Sequence, residues 1–354
     1  MSLDWERIMK NSKILIYFLL FCFVNLSLQA KTVIDMSNTK VEIPDKIEKA
    51  FGSAPPTTYL ISLFNPNILV GHNFPAYNMN NFTSKEYVGE YFMNLPILGG
   101  WQGNQKGANI EKLLSLNTQV IFSWQNDFLL KKVEKSLRNI NIPILMIDAD
   151  NLEKMPETFK FLGEGLNDEK RGEELSSYAK DSLLYITSIT ENIKDKEQKS
   201  FYYAEGNEGL QSDCTYSFHT TPFRFVKAKN IYECDQKDTM GMESMNFETI
   251  LKANPDFIII QSPKFYKKIF SDEKWKLLKA VKNRNVYLAP RIPFNWIDRP
   301  PSFMRLLAIH WLTKIFYPNR YTKDINEEIK KFYKIFFHKE LNKQELKDIT
   351  KGAF

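Results

Sequence analysis

The chain has 354 residues, a net charge of +6, 43% hydrophobic and 25% charged residues. These values suit a globular chain with apolar mass for two cores and exclude a disordered or fibrous one. Its 48 Lys and Arg residues are scattered without a basic block, so no nucleic-acid partner is expected.

Lys10 and Lys13 precede an apolar run at 14–24, and Leu28, Gln29 and Ala30 resemble a peptidase site. Residues 1–30 therefore read as a cleaved signal peptide, starting at Met1 or Met9, that delivers the chain to the periplasm; the run is short for a membrane span. Removal leaves Cys214 and Cys234, an even pair expected to form a disulfide in an oxidising compartment.

A two-strand pattern follows at 32–35 and 41–43, then a helical run at 59–64 and a short strand at 68–70. Residues 73–94 read as loop. The glycine-rich turn 99–107 lacks the Lys-Ser/Thr pair after its last glycine that phosphate binding requires, so it reads as a tight loop. Asn109 caps a short helix, and strand 118–124, helix 127–138 and strand 143–147 make a β-α-β unit with parallel strands. Helix 156–166 leads into the longest periodic stretch, 168–193. There Leu175, Ala179, Leu183, Ile186, Ile189 and Ile193 mark one face behind an Asp168 cap. The same order returns after strand 201–204: Asn246 caps a helix, then strand 257–261, helix 271–281 and strand 285–289. A proline-rich loop 290–302, a helix at 303–316 and a tail of two lysine-rich helices over 321–350 complete the chain. The expected division is a first α/β lobe 31–167, a spacer helix 168–194 and a second α/β lobe with helical tail 195–354.

Enzyme motifs are missing: there is no H-E-x-x-H, G-x-S-x-G or C-x-x-C. In open α/β sheets ligands collect beyond the carboxyl ends of strands. That rule selects Trp101, Gln102, Trp124, Tyr203, His219, Arg224, Trp296 and Arg299 as candidate ligand-binding residues. Indole, phenol and guanidinium groups suit an anionic ligand with an apolar or aromatic body. His219 is also the candidate metal contact, although a lone His is more often a hydrogen-bonded structural residue. Glu111 and Glu248 sit at the same place in the two repeats, each two residues after its capping Asn. Helix-dipole stabilisation of about 0.3–1 kcal/mol explains either alone. One carboxylate per lobe also makes a bipartite docking site for a basic partner.

The signal segment, the doubled run of Asn, an apolar residue, Glu, any residue, Leu or Ile, then Leu (109–114 and 246–251), the long middle helix and the loop PFNWIDRPPS (293–302) together resemble periplasmic substrate-binding proteins of metal-chelate ABC importers. This iron-complex type includes ferric-siderophore, haem, vitamin B12 and molybdate binders. The resemblance implies two Rossmann-like lobes joined by a single long helix, the class III periplasmic binding protein architecture, with the ligand held between them and limited closure. It implies no enzyme activity and no cofactor, a metal complex as ligand with a ferric iron chelate first, and a monomer that meets an ABC permease dimer with a cytoplasmic ATPase. Glu111 and Glu248 would be the permease contacts. The alternatives are an oxyanion such as molybdate, a nickel or cobalamin complex, an exported enzyme using His219 with Asp213 or Arg224, or a sensor domain.

Overall fold

The computed structural model describes residues 30–74, 85–101, 107–124, 141–234 and 241–354. The expected signal segment before Ala30, Gln102 and the expected helix 127–138 lie outside them. No helix among the described residues is long and apolar enough to cross a membrane.

The chain enters through an antiparallel hairpin, β1 (Ala30–Ile34) and β2 (Lys40–Pro44). Asp35 closes its turn, accepting from the Ser37 and Thr39 amides at 2.9 Å each. The first lobe is built on a parallel sheet of β3 (Ala50–Gly52), β4 (Val120–Trp124) and β5 (Ile144–Ile147), in that order. Every residue of β4 is buried, as a central parallel strand covered on both faces requires. The strand expected at 68–70 is instead a 3-10 turn, Pro66–Ile68. Asn65 caps that turn and Pro66 supplies a preset φ at its first position, leaving Leu69 only an isolated bridge to Ala50. The stretch read as loop carries two short helices, Lys85–Val88 and Glu90–Met93.

The Met155–Leu166 helix turns through Asn167, in the left-handed region at φ 57°, into the spacer helix Glu169–Thr190. Asp168 caps the spacer, accepting from the Arg171 amide at 3.2 Å. The two helices meet glycine to glycine. A Cβ on Gly172 would lie 2.8 Å from the Phe159 carbonyl oxygen and 2.9 Å from the Gly163 Cα.

The second lobe contains β6 (Ser200–Ala204), β7 (Gln211–Ser212), β8 (Lys229–Asn230), β9 (Glu243–Ser244), β10 (Phe257–Ile260) and β11 (Val286–Leu288). Its parallel sheet runs β11-β10-β6-β8, and β7 and β9 form a small antiparallel ribbon. The helix expected at 271–281 is displaced. Ser262 caps and Pro263 starts an earlier helix, Pro263–Ile269, and only short turns, Trp275–Leu277 and Lys279–Lys282, follow.

The helical tail crosses back over the first lobe. On the Ile325–Phe337 helix, Tyr333 and Phe337 meet Tyr87, and Phe336 meets Phe159 and Tyr178. Phe294 of the proline-rich loop stacks on Tyr59 with ring centres 4.0 Å apart. One apolar core consequently runs through both lobes, the spacer and the tail.

Candidate functional site

Between the lobes, beyond the carboxyl ends of the strands, lies a cleft of about 530 Å³. Its first-lobe wall is the turn after β5, with Asp148, Asp150, Asn151 and Glu153; Thr221, Arg224 and Phe225 face it from the second lobe. Burial, with the neighbouring Asp150 charge, pushes the Asp148 carboxyl above its ordinary pKa. Trp124, at the end of β4, donates its indole N–H to Asp150 Oδ1 at 2.7 Å and meets Phe218 edge-on.

Arg305 fastens the back of this cleft. It is fully buried, and its guanidinium donates to the carbonyls of Asp150 (3.0 Å), Phe218 (2.7 Å) and Ile297 (2.9 Å) and to Asp298 Oδ1 (3.1 Å). One side chain thus joins the first-lobe wall to two loops of the second lobe. Asp298 receives His219 Nδ1 on its other oxygen. Burial would raise the Asp298 carboxyl, but His219 and Arg305 outweigh it and hold the group below the usual carboxylate value. The contact fixes how the imidazole ring is turned. His219 itself is positioned by Ser217, whose hydroxyl accepts its amide at 3.1 Å.

The loop before His219 is held rigidly. Arg224 Nη1 donates to the Thr215 and Ser217 carbonyls at 2.8 and 2.6 Å, and Thr220 Oγ1 donates to the Cys214 carbonyl at 2.9 Å. The Cys214–Cys234 disulfide is formed, with Cα atoms 5.4 Å apart. Tyr216 stands on this braced loop with 80% of its surface exposed. Deeper in the second lobe, Arg299 (φ 64°) reaches two buried carboxylates, Glu205 Oε1 and Asp213 Oδ2, at 2.5 Å each. Burial holds the Glu205 carboxyl well above its ordinary pKa despite the Arg299 charge, and Asp213 adds to the rise. The Tyr203 hydroxyl is buried with no hydrogen-bond partner.

Of the residues selected from sequence, Arg224 lines the cleft and Trp124 bonds its wall at Asp150, while His219, Arg299 and Tyr203 are buried and are not among its lining residues. Trp101 and Trp296 do not stand on cleft loops: they are 1% and 0% exposed, edge-on to Phe51 and Trp311 inside the core. Sequence reasoning missed Asp148, Asp150, Glu153, Glu205 and Arg305. The strand-end rule, applied to the turn after strand 143–147, would have found the first three. Glu111 and Glu248 are exposed in the first turns of the Ile110–Ser115 and Phe247–Ala253 helices, whose caps Asn109 and Asn246 accept from Lys112 N and Glu248 N.

Two parallel α/β lobes, one helix between them and a polar cleft at the strand ends define a two-lobed solute-binding protein of the class III architecture. The periplasmic binding protein family model matches residues 102–293, and the chain belongs to that family. A solved ABC transporter solute binding protein from Sulfurospirillum deleyianum is 39% identical and covers 90% of this chain and 99% of its own, with a TM-score of 0.86. The molybdate-binding protein MolA of Haemophilus influenzae is 23% identical over 92% of this chain and 97% of that protein. The iron-uptake system-binding protein of Bacillus subtilis is 26% identical over 52% of this chain and 59% of that protein. The relatives are substrate-binding components of ABC importers, not enzymes.

Proposed function

We propose that this protein is exported through a cleaved signal peptide, captures a ferric iron chelate in the cleft and delivers it to an ABC permease dimer driven by a cytoplasmic ATPase. The observation that carries the choice of ligand is the chemistry of the walls. Asp148, Asp150 and Glu153 line one side, three carboxyl groups against the single guanidinium of Arg224. Such a cleft favours a cationic metal centre in an organic shell over a bare oxyanion. His219, oriented by Asp298, is the residue to reach the metal; Trp124, Tyr203, Arg224 and Arg299 shape the chelate's surroundings. Glu111 and Glu248 dock the lobes on basic pockets of the permease.

A second reading, a molybdate-like oxyanion, draws on Arg224 in the cleft wall and on the Haemophilus relative that spans nearly the whole chain. Titration separates the two. Protein purified without denaturation is tested against ferric chelates, molybdate, nickel complexes and cobalamin by calorimetry and thermal melting. A ferric chelate at a hundredfold excess over its Kd should stabilise the fold by roughly 2.7 kcal/mol. Binding of molybdate alone would overturn the iron reading and leave the importer role standing; no response to any of these ligands would count against both.

A further inference from the structure

The two docking carboxylates have a companion. In the Ile110–Ser115 and Phe247–Ala253 helices the burial pattern is the same, position for position: half-buried, exposed, exposed, buried, exposed, exposed. Leu113 and Ile250 take the inward position and are fully buried, so each helix is anchored without further apolar help. The four outward positions then compare directly. Two differ between the repeats, Lys112 against Thr249 and Ser115 against Lys252. Two are identical, Glu111 with Glu248 and Leu114 with Leu251. The leucines are 43% and 37% exposed. Each follows its glutamate by three residues, the spacing that places two side chains side by side on one helix face.

A single exposed leucine needs no explanation. The same leucine at the same register of two separate lobes, beside the same carboxylate, while the other outward positions drift, calls for a shared function. We propose that glutamate and leucine act as one unit in each lobe, and that each permease subunit offers an apolar lip beside its basic pocket. The inference rests on the docking reading above. The chemistry is complementary. An ion pair at a wet interface is weak and screened by salt. An apolar contact next to it excludes water and keeps its strength as salt rises.

The test is binding of the protein, with no solute added, to the permease–ATPase complex of its own cell in lipid nanodiscs, at roughly 0.1 M and roughly 1 M salt, where the screening length falls from about 10 Å to about 3 Å. The double variant Glu111→Gln/Glu248→Gln should bind more weakly at low salt, with a deficit that shrinks at high salt. The double variant Leu114→Ser/Leu251→Ser should bind about tenfold or more weakly at both salts. Thermal melts of both variants confirm an intact fold. Native binding by the leucine variant beside a defective glutamate variant overturns the two-part contact and leaves carboxylate docking in place. Native binding by both variants overturns the docking reading itself.

Discussion

His310 sits on the inner side of the Arg305–Phe316 helix with none of its surface exposed. Its Nδ1 meets the Tyr321 hydroxyl at 3.0 Å, Nε2 lies 3.8 Å from Glu328, and Tyr185 lies nearly parallel over the ring. Burial pushes its pKa down to about 4 against a partial pull from Glu328, so at neutral pH the Glu328 contact is not an ion pair. An unfolded imidazole takes its proton near pH 6.5. Between about pH 6.5 and 4 the unfolded chain therefore binds a proton that the folded chain refuses, and stability falls with pH by up to roughly 3 kcal/mol. Urea melts across that window should show the loss in the native protein. A His310→Asn variant, less stable at pH 7, should show a flatter profile; an equal slope would mean another group is responsible.

At the scale of elements, the approach of the spacer to its neighbour rests on glycine. Added methyl groups at Gly172 would press on backbone atoms of Phe159 and Gly163, which cannot rotate away. Gly172→Ala should accordingly cost about 1–3 kcal/mol, although alanine is the better helix former by about 1 kcal/mol. Gly165→Ala, on the same pair of helices with nothing within 4 Å of its Cβ, is the control and should be neutral or stabilising. Thermal melts that rank the two alike would refute the tight crossing. Elements such as the Asp168-capped spacer, the β1–β2 hairpin and the Asn-capped helices were legible because period, cap and turn are local signals. The helix read at 271–281 lies earlier, at Pro263–Ile269, where Ser262 and Pro263 spell a cap and a first position. In the cleft wall, Arg224 was legible from the strand-end rule. Arg305 was not, since its four partners lie in three loops that only the fold assembles. Trp101 and Trp296 sit in loops by sequence, yet their bulk fills the core.

At the scale of the molecule, the lobes are fastened at several points besides the spacer: Arg305 across the cleft, Phe294 on Tyr59, and the tail on Tyr87 and Phe159. A hinge with one connection swings freely; one fastened at four places moves by small local shifts. Small-angle scattering should therefore give a radius of gyration of ~20 Å that changes by less than about a twentieth when a ligand saturates the cleft. A contraction of several ångströms would show that the fastenings release.

The tail has a further consequence, in time. Phe336 and Phe337 cover first-lobe residues as early as Tyr87, the Leu288 amide bonds the Gly352 carbonyl at 2.7 Å, and the Trp311 indole bonds that of Ala353 at 2.8 Å. If the chain is exported as proposed, its amino end first, the first lobe would emerge long before the helix that seals it. Until then the faces of Tyr87 and Phe159 that meet the tail would stay uncovered. The interval before the tail emerges would then be the period in which holding chaperones protect the chain and proteases threaten it.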